Sequence, residues 1–112
     1  MRRDPKLFIL DIIESIEAIE EFSHNISKDE LFSSRLRRNA IIREIEIIGE
    51  AVKNLPESIK LKNKEIEWKK IAGMRDIITH GYFSIDMDAV WNAIKRDIPV
   101  LKKQIEKIKK DM

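Results

Sequence analysis

Cysteine is missing from the 112 residues of the sequence, and glycine and proline are scarce, with three of each. Without cysteine the chain cannot form disulfide bonds, thiolate metal sites or a thiol nucleophile, which is compatible with a reducing cytosol. Few glycines and prolines argue against a β-sandwich with many turns. Together with abundant isoleucine, leucine, glutamate and lysine, this composition predicts an all-α fold of helices joined by short connections.

A long uninterrupted apolar run is also missing. The apolar positions near the start of the chain are interrupted by Asp11, Glu14 and Glu17, which argues against a signal peptide or a membrane span. We therefore expect a cytoplasmic protein with no membrane partner. The 22 Lys and Arg residues nearly balance 20 Asp and Glu residues, so the net charge of +2 does not by itself indicate nucleic-acid binding. The length suits a single domain, residues 1–112, with one core.

Hydrophobic periodicity predicts two helices in the first half of the chain. The first starts with an aspartate and a proline and covers about residues 5–23. A capping-box pattern at Ser27-Lys28-Asp29-Glu30 begins a second, long helix that runs to about Leu55. Gly49 inside this helix is less favourable than alanine, which indicates that another backbone or a bulky side chain packs against it. Residues 56–67 are expected to form a loop with one short helical turn at most.

Two further helices are predicted in the second half. Residues 68–79 form a shorter third helix that Gly81 ends. Asp86 is a favourable N-cap for a fourth helix, along which apolar residues recur at alternating steps of four and three residues. Pro99 lies inside this helix and should kink its axis near residues 95–96. The expected architecture is an antiparallel bundle of three long helices plus a shorter one.

The long helices carry more apolar residues than one narrow stripe can hold. Adjacent isoleucines occur at Ile12-Ile13, Ile41-Ile42 and Ile47-Ile48. A monomer of this size would have difficulty covering all of these faces. We therefore expect a homodimer that buries the same helical face of both copies.

One of the two histidines stands among other side chains suited to chemistry. His24 follows the first helix, where the helix dipole favours a histidine, and we assign it no role. His80 lies within Arg75-Asp76-Ile77-Ile78-Thr79-His80-Gly81-Tyr82, which brings a cation, an imidazole and a phenol close together in the chain. Imidazole is the simplest general acid or base at neutral pH.

The spacing of Arg75 and His80 leaves several arrangements open. Five residues on one helix separate two side chains by about 140°, so the pair would not share a helical face. Either the helix ends before His80, or two copies of the segment meet across a dimer axis and pool their arginines and histidines. A structural role is a further alternative, in which Arg75 forms an ion pair with Asp76 or Glu46.

The segment from Arg75 to Tyr82 resembles the R-x-x-x-x-H-x-Y motif of the HEPN superfamily, in its HepT-like toxin branch. Residues 43–51 are similar to the second-helix pattern of that branch, and residues 68–76 are similar to its approach to the motif. Residues 85–99 resemble the region that follows. The resemblance covers about residues 39–105, and the length and the order of helices also agree.

This resemblance implies a HEPN-like fold and a metal-independent endoribonuclease without a cofactor, acting on tRNA or mRNA. The implied partner is a minimal nucleotidyltransferase antitoxin. By the same resemblance, Arg75 stabilises the charge of the reacting phosphate, His80 is a general acid or base, and Asp76 orients the arginine. Tyr82 matches the tyrosine to which the antitoxin transfers AMP, and this modification blocks the toxin.

Two residues of the second helix are candidates for supporting the site. Arg43 and Glu46 are three residues apart, and they either hold Arg75 or form an ordinary surface ion pair. Glu46 also belongs to a group of glutamates with Glu44 and Glu50, but no E-x-x-H spacing accompanies them, so we predict no metal site.

The alternative function is a non-catalytic helical module that binds a nucleotide or the nucleotidyltransferase. The presence of Arg75 and His80 beside Tyr82 favours the enzyme, since a scaffold would not need both. Asp86 and Asp88 superficially resemble the paired aspartates of a nucleotidyltransferase itself. The sequence predicts neither the strand nor the Gly-Ser loop of such an enzyme, and a helix cap explains the pair.

Overall fold

A computed structural model describes residues 3–79 and 84–112 of the chain. These residues are helical apart from turns and one isolated β-bridge, so the predicted all-α fold is confirmed. None of the described helices is long and apolar enough to cross a membrane. The helices are α1 (Pro5–Phe22), α2 (Lys28–Ser33), α3 (Arg35–Asn54), α4 (Glu57–Lys62), α5 (Trp68–Ala72), α6 (Met74–Ile78), α7 (Met87–Asn92) and α8 (Ile98–Asp111), with a π-helical segment (Ala93–Asp97) between the last two.

Helix starts that depend on local side chains lie where the sequence predicts them. Asp4 accepts a hydrogen bond from the Lys6 amide at 2.9 Å at the start of α1. The capping box of α2 is complete, since the Glu30 amide donates to Ser27 Oγ at 3.1 Å and the Ser27 amide donates to the Glu30 side chain. These bonds satisfy backbone donors that have no partner inside the helix.

The long second helix predicted from Ser27 to Leu55 is wrong as a single element. Ser34 has extended backbone angles, φ −98° and ψ 96°, and divides the segment into α2 and α3. Its hydroxyl accepts a hydrogen bond from the Arg37 amide at 3.2 Å. A serine side chain can replace a helical backbone bond in this way, so the chain restarts a helix instead of continuing one. The expected short helical turn after Pro56 is present as α4.

The predicted third helix is also divided and ends one residue early. The Gly73 amide donates to the Lys69 carbonyl, and the Gly73 carbonyl accepts from the Asp76 amide, both at 3.0 Å, so this residue closes α5 and opens α6. Thr79 has extended angles and forms an antiparallel bridge with Ile85. Gly81, the predicted end of the helix, lies outside the described residues.

The chain before Pro99 departs from α-helical geometry. Residues Ala93–Asp97 form a π-helical turn, which includes both residues near which a kink was predicted. Proline has no amide hydrogen, so it cannot donate the α-helical bond that the Lys95 carbonyl would otherwise accept. The helix therefore widens locally and then continues as α8.

The core lies between α1, α3 and α8. Side chains from all three helices are almost completely buried, among them Ile12, Ile16, Ile45, Ile48, Leu101 and Ile105. The close packing predicted at Gly49 is confirmed, because a Cβ atom there would lie 3.2 Å from the Ala72 carbonyl oxygen. This approach places the backbone of α5 directly against α3. Helices α1 and α3 pack together, and the segment that joins them contains α2.

Candidate active site

Arg75 is held by a carboxylate of the neighbouring long helix. Its Nε atom lies 3.4 Å from Glu46 Oε2, and its Nη1 atom lies 3.9 Å from Asp76 Oδ1. The arginine side chain remains 54% exposed, whereas the Glu46 side chain is 33% exposed. Such a partly hydrated ion pair contributes little to stability, so its main effect is to orient the guanidinium. The structural ion pair considered from the sequence is therefore present, with both suggested partners.

The local fold of α6 explains why this arginine faces outwards. Met74 and Ile78 are buried against the core, and the helical period then leaves Arg75 and Asp76 on the solvent side. Because Gly49 lets α5 approach α3 closely, α6 begins next to the part of α3 that carries Glu46. The position of the guanidinium thus depends on a backbone contact two residues before α6.

A cleft of about 500 Å³ runs along α3 between the start of α1 and the α5–α6 segment. All four site residues that were predicted in the described part of the chain line it: Arg43, Glu46, Arg75 and Asp76. The other charged lining residues are Arg3, Asp11, Glu50 and Lys53. Four cationic side chains are therefore balanced by four carboxylates, so the cleft has no strong excess of positive charge.

Of the two supporting residues predicted on α3, Glu46 has the contact with Arg75. Arg43 is exposed in the same cleft, and among the described residues its guanidinium has no carboxylate within 4.0 Å. Arg43 is therefore free to face a ligand in the cleft. Of the three guanidinium groups in the cleft, those of Arg3 and Arg75 are paired with carboxylates, and that of Arg43 has no such partner in the described part of the chain.

His80 and Tyr82 lie outside the described residues, but the chain on either side of them is well defined by hydrogen bonds. The Thr79 amide and hydroxyl both donate to the Arg75 carbonyl, at 2.8 and 2.9 Å. The Asp86 amide donates to the Ile78 carbonyl at 2.7 Å. Since α6 ends at Ile78, the helix stops before His80, which is the first of the arrangements that the spacing left open.

The remaining candidates from the sequence have structural surroundings. Asp86 accepts a hydrogen bond from the Ala89 amide at 3.0 Å as the N-cap of α7, and Asp88 pairs with Lys28, so neither resembles a paired catalytic aspartate. His24 is exposed beside Asn25 at the end of α1. Within residues 3–79 and 84–112, no three His, Asp or Glu side chains are grouped as metal ligands.

Sequence reasoning missed two features of this site. Thr79 fixes the end of the arginine helix, and its position four residues after Arg75 was a usable signal, since threonine hydroxyls often bond to a carbonyl one turn earlier. Arg3 and Asp11 form an ion pair at the opposite wall of the cleft. No local pattern indicates their place, because it depends on how α1 packs against α3.

Comparison with known proteins identifies the family. The sequence model described as "Ribonuclease HepT-like" matches residues 12–108. A protein of Thermococcus cleftensis named "Probable ribonuclease HepT" is 43% identical over 110 residues, which are 98% of this chain and 100% of that protein. A protein of Methanocaldococcus jannaschii named "Gamma-glutamylcyclotransferase and putative RNase" is 46% identical over 112 residues, which are 100% of this chain and 50% of that protein.

A more distant relative gives the same result. It comes from Caldanaerobacter subterraneus, is named "Putative RNase", and is 37% identical over 106 residues, which are 95% of each chain. The chain thus spans half the length of the M. jannaschii relative but nearly all of the other two. No solved structure gives a significant match. The chain belongs to the HepT-like ribonuclease family, whose name and named relatives support ribonuclease activity.

Proposed function

We propose that this chain is a metal-independent endoribonuclease, the toxin of a type VII-like toxin–antitoxin pair, and that it cleaves tRNA or mRNA in the cytoplasm. One observation carries the proposal. Arg75 is oriented by Glu46 and yet half exposed in an open cleft. The segment with His80 is framed by hydrogen bonds from Thr79 to the Arg75 carbonyl and from the Asp86 amide to the Ile78 carbonyl. A guanidinium held in this way is ready to receive a phosphate.

The proposed chemistry uses the 2′-hydroxyl of the RNA as nucleophile. The 2′-oxygen attacks the adjacent phosphorus, and the bond from phosphorus to the 5′-oxygen breaks. The products are a 2′,3′-cyclic phosphate and a 5′-hydroxyl. The 2′-hydroxyl loses a proton and the departing 5′-oxygen gains one, and His80 is the general base or the general acid for one of these transfers.

Arg75 supplies the charge stabilisation in this scheme. The phosphorane that forms during attack carries more negative charge than the ground state, and a fixed guanidinium next to it lowers its energy. Removing one such donor typically costs about 100- to 1,000-fold in rate. Because the substrate carries its own nucleophile, a metal ion is not needed to generate one.

The active form in this proposal is a homodimer. Leu36 on α3 and Ile77 on α6 are large apolar side chains that are exposed in the single chain, and a second copy would cover such residues. Ile77 lies two residues from Arg75, so the interface would adjoin the site. Sedimentation or mass photometry at micromolar concentration should give the dimer mass, and a monomer mass would contradict this part.

Regulation would take place at Tyr82. In this proposal a nucleotidyltransferase antitoxin positions ATP so that the tyrosine oxygen attacks its α-phosphorus. Pyrophosphate leaves, the hydroxyl proton is lost, and the tyrosine becomes O-adenylylated. The added phosphate would compete with RNA for Arg75, and the added bulk would obstruct the cleft. Mass spectrometry after incubation with ATP and the antitoxin should show added AMP, and Tyr82→Phe should abolish it.

The decisive experiment is cleavage of tRNA and of total RNA in EDTA. The wild type should leave cyclic phosphate ends, while Arg75→Ala and His80→Ala should be at least about 100-fold slower at unchanged thermal stability. Cleavage that requires an added divalent cation would contradict the metal-free mechanism. Equal activity of the wild type and both variants would contradict the assigned roles.

A non-catalytic module that binds the nucleotidyltransferase or a nucleotide is the second candidate. It is favoured by the near balance of charge in the cleft, which is unusual for an RNA-binding site. Under that function, unmodified protein would not cleave RNA but would bind the partner. Expression without the partner separates the two, because only a ribonuclease would be toxic, and His80→Ala would abolish the toxicity while retaining the fold.

A further inference from the structure

The balanced charge of the cleft raises the question of what attracts the RNA backbone. A second cavity of about 640 Å³ lies against α3, α4 and α5, and its lining has an excess of positive charge. Its carboxylates are Glu57 and Glu67, against five lysines. We call it the lysine hollow and define it by these lysines: Lys53, Lys60, Lys64, Lys69 and Lys70.

The lysine hollow adjoins the cleft. Lys53 and Ala72 line both cavities, so the two share a boundary on α3 and α5. A polynucleotide whose phosphate lies at Arg75 would pass Lys53 to reach the hollow. Two neighbouring cavities of this kind suit an extended substrate better than a small one.

Most of the lysine charges are available to a ligand. Lys70 is paired, with Asp97 at 3.4 Å and Glu67 at 3.9 Å. Among the described residues, the ammonium groups of the other four lysines have no carboxylate within 4.0 Å. Lysine ammonium groups without partners bind phosphates as point charges, and each phosphate neutralised releases counterions.

The floor of the hollow is apolar and fixed. The indole Nε1 of Trp68 donates to the carbonyls of Asn63 and Lys60, at 3.1 and 3.3 Å, so the half-buried ring cannot swing away. Leu61 presents an apolar side chain beside it that is 56% exposed. A cationic rim around an apolar floor matches a nucleotide, which has both a phosphate and a base, better than it matches a simple anion.

We propose that the lysine hollow is a second RNA subsite, which binds the single-stranded nucleotides that flank the scissile phosphate. The lysines hold the sugar–phosphate backbone, and an unstacked base rests on the apolar floor of Leu61 and Trp68. A single strand is required, because the bases of a duplex are stacked inside and cannot reach such a floor. This inference rests on the proposed ribonuclease function, since it describes the path of the same substrate.

Binding of an uncleavable RNA tests the hollow separately from catalysis. The probe is a fluorescent 2′-O-methyl oligonucleotide of mixed sequence, about 16 nucleotides long, measured by anisotropy over a salt series. The triple variant Lys60→Gln/Lys64→Gln/Lys69→Gln should weaken binding about tenfold or more. The plot of log affinity against log salt should also become less steep, with a slope smaller in magnitude by about 2. This is the value for three lost phosphate contacts on a single strand.

The matched control removes the same charge elsewhere. Lys103→Gln/Lys107→Gln/Lys109→Gln changes three exposed lysines of α8 that line neither cavity. It should weaken binding less than about twofold and leave the salt slope unchanged. Equal weakening by both triple variants would overturn the proposal, because net charge alone would then explain the attraction.

The floor is tested with Leu61→Ser, which removes an exposed apolar contact without changing charge. It should weaken binding about threefold at an unchanged salt slope, and no effect would overturn the base contact. If the wild type binds the probe and cleaves RNA, and the triple variant of the lysine hollow binds the probe equally well, only the proposed subsite is refuted. A wild type that neither binds nor cleaves RNA would refute the ribonuclease function together with it.

Discussion

The core and the candidate site are held in place by different kinds of contact. Helices α1, α3 and α8 have 18, 20 and 14 residues and bury apolar side chains over several turns each. Helices α5 and α6 have five residues each and contribute Ile71, Met74 and Ile78 to the core. Their polar and backbone contacts include the close approach of α5 to Gly49, the pair of Arg75 with Glu46, and the bonds from Thr79 to the Arg75 carbonyl.

This difference separates stability from chemistry. Isolated helices of about one turn are not stable in water, so α5 and α6 exist because the long helices hold them. The core can therefore lose stability without changing the geometry of the site, as long as the chain stays folded. Changes at the site, in contrast, should alter the position of Arg75 at little cost in stability. Three substitutions test this separation.

The largest effect on stability is expected in the core. Ile105 on α8 is completely buried, so Ile105→Ala should lower the free energy of unfolding by about 2–5 kcal/mol, the usual cost of an isoleucine truncated in a packed interior. Denaturant unfolding followed by circular dichroism measures it. The rate of RNA cleavage per folded molecule should remain that of the wild type.

The same helix provides the control for this substitution. Val100 is 57% exposed, and Val100→Ala should change the free energy of unfolding by less than about 0.5 kcal/mol. A large loss of cleavage by folded Ile105→Ala protein would show that the core and the site are coupled, and the separation would then be wrong.

A smaller loss of stability, with a larger effect on activity, is expected at the contact between the two regions. In Gly49→Ala the new Cβ atom would lie 3.2 Å from the Ala72 carbonyl oxygen, so α5 must move by a few tenths of an ångström. Overpacking costs about 1–3 kcal/mol and the helix propensity of alanine returns about 1 kcal/mol, so we expect a net loss of about 1 kcal/mol. Cleavage should fall about tenfold or more, since small misplacements of catalytic groups are costly.

Gly73→Ala is the comparison for Gly49→Ala. Its Cβ atom would meet the Lys69 carbonyl oxygen at 3.4 Å, an ordinary contact, and its φ of −95° suits alanine. The equilibrium constant of unfolding and the rate of cleavage should both stay within about twofold of the wild-type values. If Gly49→Ala behaved in the same way, the position of α5 would not control the site.

The parts of the fold that the sequence predicts are those determined by nearby residues. Asp4, Ser27 and Asp86 cap helices through their own side chains, and Pro99 causes its irregularity one turn away. The break at Ser34 was missed because the regular apolar spacing begins only at Ile41 and does not report on residues 33–40. The spacing of apolar residues shows which face is buried, but it does not register that one hydroxyl replaces a helical bond.

The candidate site was predictable to the same extent. The motif around Arg75 and the helical face of Arg43 and Glu46 are local, and the structure brings these residues to one cleft. The place of Arg3 and Asp11 in the cleft and the lysine hollow were missed, because they depend on how several helices pack together and not on a local pattern. The clustering of Arg43, Glu46, Arg75 and Asp76 was therefore easier to predict than the surfaces around them.

The smallest effect on stability is expected for Glu46→Gln, which removes the carboxylate nearest to Arg75 but keeps the size of the side chain. The free energy of unfolding should change by less than about 1 kcal/mol, because the pair is partly hydrated. The turnover number should fall about tenfold as the guanidinium loses its orientation, while KM falls or stays constant because a negative charge has left the cleft.

Glu50→Gln makes the same charge change in the same cleft, but Glu50 has no ion pair with Arg75 in the described structure. It should share the effect on KM and leave the turnover number unchanged. Glu46→Asp, which keeps the charge, should recover part of the lost turnover. If Glu46 had only a structural role, Glu46→Gln would alter the melting temperature and leave the turnover number of the folded enzyme unchanged. Equal kinetics of Glu46→Gln and Glu50→Gln would assign the effect of Glu46 to charge alone. The orientation of Arg75 would then have to come from Asp76 or from a second copy of the chain.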